Sequence, residues 1–187
     1  MKLHIKNMVC DRCILVVKQQ LENLGFQVEA TSLGAASVEP EPDAAQLSAI
    51  GSAFKILGFE LIDNEKDRLV AQIKSLIIEK VHHTDLTDSH VVFSQYLSAH
   101  IHKDYAYLSR VFSEAEDVTI EKFIIQQKIE KVKELLEYGE LNLNEIAWKM
   151  NYSSSAHLSA QFKSITGLTP SQFKTSGLAQ RKPIDKI

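Results

Sequence analysis

The stretch NEIAWKMNYSSSAHLSAQFKSITGLTPSQFK, residues 144–174, decides how this chain is to be read. Asn144 to Ser154 followed by Ser155 to Lys163 reads as helix, tight turn, helix, with Asn151 in the turn. Asn tolerates the left-handed backbone of a tight turn, and Ser153 or Ser154 supplies a side-chain oxygen to cap the following helix. Ala147 is small, as close crossing of two helices requires. Leu158 and Phe162 lie one turn apart and bury the inner face of the second helix. The opposite face carries His157, Ser159, Ala160 and Gln161, and Trp148 is expected as a partly buried wedge beside the turn.

Working outward, an earlier stretch repeats the plan. Phe93 to Ser98 opens a helix, Ala99 to His102 ends it and turns, and Asp104 to Phe112 forms a second helix with Asp104 as its cap. Leu108 and Phe112 match Leu158 and Phe162 in spacing. Between the two units Thr119–Tyr138 reads as helix, about 30 Å long at 1.5 Å per residue. That length is close to the roughly 34 Å between successive major grooves on one face of DNA, so one chain could set two helices in adjacent grooves.

Residues of roughly 69–175 resemble the DNA-binding domain of AraC/XylS-type regulators. The resemblance is carried by Tyr107-Leu108-Ser109-Arg110-Val111-Phe112, by Lys128 to Leu136, by Ile146-Ala147 and most specifically by Phe162 to Lys174. It implies that Ala106, Ser109 and Arg110 face bases from the first unit, and Ala156, His157 and Ala160 from the second. Ser159 and Lys163 would lie near phosphate. Ala160 stands where the family often has Arg, and Glu114, Glu116 and Asp117 would repel phosphates they face, so Arg110 is the expected principal reader and the second unit mainly an anchor.

Residues 1–63 have another texture. Strand-like runs fall at Lys2–Lys6, Gln27–Ser32 and Phe59–Asp63, helical ones at Cys13–Leu24 and Asp43–Leu57, and Ser37–Glu39 supplies a short third strand. That order, βαββαβ, suits a ferredoxin-like α+β domain in which two helices cover one face of an antiparallel sheet. The polar run Asp63 to Arg68 then opens a linker and connecting helix over 64–83. An all-α double helix-turn-helix domain over 84–175 and a flexible tail over 176–187 complete the division.

Met8-Val9-Cys10-Asp11-Arg12-Cys13 lies where the first strand hands over to the first helix. Helix N–H groups and Arg12 are expected to lower the thiol pKa values there. Two thiolates can converge on one soft ion, Cu(I) or another soft metal, whereas a closed zinc site wants four ligands. A redox pair or incidental thiols are the alternatives at this point. With strand, loop and helix in that order, residues 1–63 resemble the heavy-metal-associated domain of copper chaperones and metal-transport ATPases, through Met8, Cys10, Cys13 and Leu57-Gly58-Phe59. The resemblance implies Cys10 and Cys13 as ligands, Met8 as a buried prop and Phe59 as a ring packed near the loop; Asn7 replaces the usual Gly.

Composition bounds the rest. At 187 residues with 44% hydrophobic and 24% charged, and only seven Gly and four Pro, the chain is globular rather than disordered. The net charge of −3 sits in the front: residues 1–63 hold five Lys/Arg against eight Asp/Glu, and residues 64–187 sixteen of each. No apolar run reaches the roughly 20 residues of a membrane span, and the N-terminal residues lack a secretory core, so a soluble, cytoplasmic protein is expected. Without a Gly-rich phosphate loop or a Gly-x-Ser-x-Gly elbow, an enzyme is not. Double-stranded DNA is the expected partner, with a second copy of the chain and RNA polymerase as further candidates. A protein-interaction module and a metallochaperone are the competing functions.

Phe93, Tyr96, Leu108, Phe112, Phe123, Leu158, Phe162 and Phe173 are assigned to packing, and His82, His83, His90, His100 and His102 to solvated surface. Lys122, Lys128, Lys131 and Lys133 alternate with Glu121, Glu130, Glu134 and Glu137, the pattern of an exposed helix face.

Overall fold

Lys2–Lys6 alternates apolar and polar side chains and forms strand β1, with Leu3 and Ile5 buried and His4 half-buried on the opposite face. The computed structural model describes residues 1–84, 92–176 and 181–184. Its first elements are β1, α1 (Asp11–Asn23), β2 (Gln27–Ser32), β3 (Ala35–Glu39), α2 (Ala44–Ile56), β4 (Glu60–Leu61) and α3 (Glu65–Ile78). The four strands make one antiparallel sheet in the order β2-β3-β1-β4.

The βαββαβ order is the one read from the sequence, with two changes. β3 reaches back to Ala35, because the buried Ala35 and Ala36 continue the ladder, opposite His4 and Leu3 of β1 and Ser32 and Thr31 of β2. β4 is only two residues long, although the Ile62 N–H still donates to the His4 carbonyl at 2.9 Å. Val17 and Leu21 of α1 and Ile50 and Phe54 of α2 close over Leu3, Ile5, Ala36 and Val38 to form the core. Asp43 starts α2 with a reciprocal cap to Gln46, worth about 1 kcal/mol.

The chain divides into two compact units, Met1–Glu79 and Lys80–Ile187. The segment 64–83 is therefore split between them. Asn64 caps α3, which runs along β1 in the first unit, and a π-helical turn, Glu79–His83, leads into the second.

The second unit holds α4 (Phe93–Ile101), α5 (Tyr105–Glu116), α6 (Ile120–Tyr138), α7 (Leu143–Lys149), α8 (Ser155–Thr166) and α9 (Pro170–Ser176). A fifty-residue offset superposes one set of local devices on another. Asp104 and Ser154 cap α5 and α8; Asp117 and Gly167 end those helices in the left-handed region, at φ 55° and 78°. Thr119 and Thr169 then accept from Lys122 and Gln172 N–H groups to start α6 and α9. Phe112 packs on Phe123 with ring centroids 5.6 Å apart, and Phe162 on Phe173 at 5.5 Å.

The central helix corrects one expectation. Glu130 and Lys133 of α6 are buried as an ion pair at 2.6 Å, and Lys131 pairs with Glu134 at 2.8 Å with both mostly enclosed. Lys128 donates to the Met150 carbonyl at 2.9 Å, and burial holds its pKa down. Glu121, Lys122 and Glu137 towards the ends of the helix are exposed as expected, but its middle is no solvated face: with neighbours packed around it the helix buries polar positions as well, and does so with paired charges. Within the tail segment, Arg181 reaches Glu134 at 2.8 Å and the Lys182 N–H donates to Glu130, so residues 181–184 lie along α6.

Candidate functional site

Each pair of crossing helices turns through one left-handed residue, His102 at φ 57° and Asn151 at φ 57°, and then restarts on a side-chain cap. Asp104 accepts from the Ala106 N–H at 2.9 Å and Ser154 from the His157 N–H at 3.1 Å. Leu108 and Phe112 hold the inner face of α5 in the core; Leu158 and Phe162 do the same for α8. The opposite faces are left outward by helical geometry. Ala106 and Arg110 are exposed on α5, and Ala156, His157, Ala160 and Lys163 on α8. Ser109 and Ser159 are half-buried at the edges of these faces, and the Ser159 hydroxyl donates to its own helix at Ser155 O.

Three features escaped the sequence reading. Tyr107 is 37% exposed, and the ring lies 5.5 Å from the Lys103 ammonium and 5.6 Å from the Arg110 guanidinium. Two cations on one ring hold Arg110 at the helix surface. The spacings i, i+4 and i, i+3 could have announced them. His157, likewise, is held rather than loose: Ser153 Oγ lies 3.0 Å from its Nδ1 and the Tyr152 ring stands edge-on at 5.4 Å. With Nδ1 occupied, Nε2 is the nitrogen left to meet a ligand. Tyr105 donates to Glu121, tying the start of α5 to the start of α6; the bond lowers the Glu121 pKa, while burial above all raises that of Tyr105.

Two expectations fail here. Trp148 is 69% exposed, not wedged, because Ala147 and Ile146 take the inward positions of the short helix α7 and the next residue must point away. His82 is not a solvated histidine: its Nδ1 is enclosed and its Nε2 lies 2.8 Å from Gln127 Oε1, since the π-helical turn carries it against α6. His83, His100 and His102 are exposed, and His90 lies outside the described residues. Of the aromatic set, Phe93 and Tyr96 are half-buried and the others are core.

In the first unit Cys10 is the N-cap residue of α1 and Cys13 sits in its first turn, with their sulfurs 3.4 Å apart. Met8 is buried, and Phe59 joins the same core, packed edge-on to Phe54. Asn7 takes φ 69° in place of a glycine and clamps the loop by donating from Nδ2 to the Gly58 carbonyl at 2.9 Å. The Cys13 thiol is pushed up, chiefly by burial, with the backbone hydrogen bond to Val9 working against it; the expected lowering by the helix end is outweighed there. Among the described residues, no group of three or more His, Cys, Asp or Glu is placed to hold a metal ion.

Residues 97–176 match the family described as helix-turn-helix domain. The Msm operon regulatory protein of Streptococcus mutans is 30% identical over 69 residues, covering 37% of this chain and 25% of that protein. An HTH-type transcriptional regulator from the cgkA 5′ region of Pseudoalteromonas carrageenovora is 31% identical over 105 residues, covering 56% of this chain and 58% of that one. The chain thus spans between a quarter and three-fifths of the length of these curated relatives. The C-terminal domain of AraT, a response regulator from Geobacillus stearothermophilus, aligns in structure with a TM-score of 0.52 at 20% identity, over 64% of this chain and 94% of that domain. These are regulators rather than enzymes, as the sequence led one to expect. Among the described residues no helix is long and apolar enough to cross a membrane.

Proposed function

We propose, from the helix-turn-helix domain over residues 97–176, that the chain is a DNA-binding transcription regulator of the AraC type that reads double-stranded DNA through α5 and α8. The observation that carries this reading is the fifty-residue repeat. Two units built on the same caps and the same core each leave one helix face outward, α5 with Tyr107 and Arg110, α8 with His157 and Lys163. An α-helix is what the major groove admits, and two on one compact unit suit successive grooves. Arg110 is the principal base reader, since its guanidinium reaches two guanine acceptors at once, for about 1–3 kcal/mol of discrimination. Ala160 offers no such reach, so α8 anchors, with Ser159 and Lys163 toward phosphate.

The first unit extends the proposal. A ferredoxin-like, heavy-metal-associated module is supported by its strand order and by the loop from Asn7 to Cys13. Sulfurs 3.4 Å apart can both touch one ion, and a lone pair of thiolates fits a soft ion such as Cu(I) better than four-coordinate zinc. Metal or thiol state at Cys10 and Cys13 would bias DNA affinity by a coupling of about 1–3 kcal/mol, reciprocal between the two sites. A second copy of the chain and RNA polymerase are the further partners of this reading.

The test is salt-titrated binding of the full chain to fragments of its own promoter, with wild type and Cys10→Ser/Cys13→Ser compared with and without copper. A regulator prefers one fragment, with affinity that falls as salt rises. Equal or absent binding to all fragments leaves the interaction module, which the exposed Glu114 and Asp117 at the C-terminal end of α5 favour. Copper transfer to an acceptor with no effect on DNA leaves the metallochaperone.

A further inference from the structure

The back of the sheet in the first unit carries a cavity that neither the helix-turn-helix units nor the thiol pair uses. Alternation along β1 sends Leu3 and Ile5 into the core and Lys2, His4 and Lys6 to the other side, where α3 runs. Gly34, in the turn between β2 and β3 at φ 82°, permits the close approach of α3: a Cβ there would stand 2.7 Å from Ser75 Oγ. Between these elements lies a cavity of about 210 Å³, with Lys2, His4, Arg68, Gln72 and Ser75 on its wall. That is below the roughly 300–1,000 Å³ of sites for drug-sized ligands, and suits a small metabolite.

Its charge leans cationic, with Lys2 and Arg68 against one carboxylate, Glu79. Among the described residues neither Lys2 nor Arg68 forms an ion pair. Arg68 spends its Nε–H on the Ile62 carbonyl at 3.2 Å, which fixes the guanidinium and leaves both terminal amino groups for another acceptor. The half-buried His4 imidazole is held below its ordinary pKa by burial and then by Lys2 and Arg68, so it registers both charges. Glu79 also lines the cavity; like Lys2 it is exposed, so solvent weakens both charges alike and the half-buried Arg68 guanidinium sets the character of the wall. Cations gathered on a concave wall raise one another's free energy, and an anion relieves them.

We propose that this cavity binds a small molecule bearing an oxyanion, a carboxylate or a phosphate, received by the terminal amino groups of Arg68 with Lys2 and His4 beside it. A planar guanidinium held at Nε presents two parallel donors that match either group.

The experiment is a titration of the full chain, labelled in its histidine rings, with succinate and separately with inorganic phosphate, in the absence of DNA. A saturable shift of the His4 resonance with either ion is expected, the tighter ion identifying the class. Arg68→Gln weakens it about tenfold or more, as loss of a charge-assisted hydrogen bond requires. Should Arg68→Gln disturb folding, Lys2→Gln at an exposed position carries the test and is expected to weaken binding as well. A His4 resonance that neither ion moves saturably, or an affinity unchanged in folded Arg68→Gln or in Lys2→Gln, overturns the proposal.

Discussion

Arg110 carries its charge at the exposed face of α5, beside the Tyr107 ring that also meets Lys103. Arg110→Ala is expected to cost about 1–3 kcal/mol of preferential binding to the favoured promoter fragment, with much less loss on random DNA. Fluorescence anisotropy at one fixed salt reads both, and equal losses on the two DNAs would make Arg110 a phosphate contact instead. Cys13 behaves differently from the thiol expected at a helix start. Because burial raises its pKa, alkylation by iodoacetamide should be slow at neutral pH and keep climbing as pH passes the usual thiol range. A rate that levels off near neutrality, followed residue by residue by mass spectrometry, would contradict this. The motif residues themselves were legible, for the Cys10–Cys13 spacing and the Arg110 stripe are local facts. Their contacts were less so: the spacing of Lys103, Tyr107 and Arg110 hinted at two cations on one ring, whereas the clamp from Asn7 to Gly58 joins residues 51 apart, which no local pattern announces.

At the scale of elements, α6 shows how a pattern can mislead. Alternating Lys and Glu at i, i+3 and i, i+4 describes an exposed helix as well as a buried one whose charges pair along its own axis, and the second is realised at Glu130 and Lys133. Lys133→Met alone leaves Glu130 buried without its cation and should cost about 3–5 kcal/mol of unfolding free energy. Glu130→Gln added to it should restore part of the loss, because the amide oxygen still accepts from the Lys182 N–H. Urea unfolding of the single and double variants decides between this and a surface pair, for which neither change would register. The caps, in contrast, were readable: Asp104 and Ser154 sit where a short polar side chain precedes an apolar stripe, and both receive the expected backbone N–H.

For the second unit as a whole, His82 joins the π-helical turn, α6 and the C-terminal residues. Gln127 is completely buried, donates from Nε2 to the Ile184 carbonyl at 3.3 Å and so turns its oxygen to accept from His82 Nε2–H. The enclosed Nδ1 is then the unprotonated nitrogen, and burial depresses the pKa to about 4 from 6.5. Unfolding exposes a ring that takes up a proton more readily, so the stability His82 contributes is complete above pH 6.5 and is lost as pH falls to about 4. The loss is on the order of 3 kcal/mol, read as a fall in urea midpoint across that window. His82→Gln should flatten the curve there; an equally steep curve in the variant would place the titrating group elsewhere.

Local chemistry decided what the chain could write in one turn or one strand: the βαββαβ order, the helix-turn-helix repeat, the thiol loop and the caps. Burial, by contrast, is a property of neighbours distant in sequence. Only tertiary packing sent Trp148 outward and His82 inward, sank the charges of α6, raised rather than lowered the Cys13 thiol, and set Lys2, His4 and Arg68 around one cavity. Solvation and Coulomb energy depend on where every surrounding atom lies, and a periodic pattern names the faces of an element without saying what will stand against them.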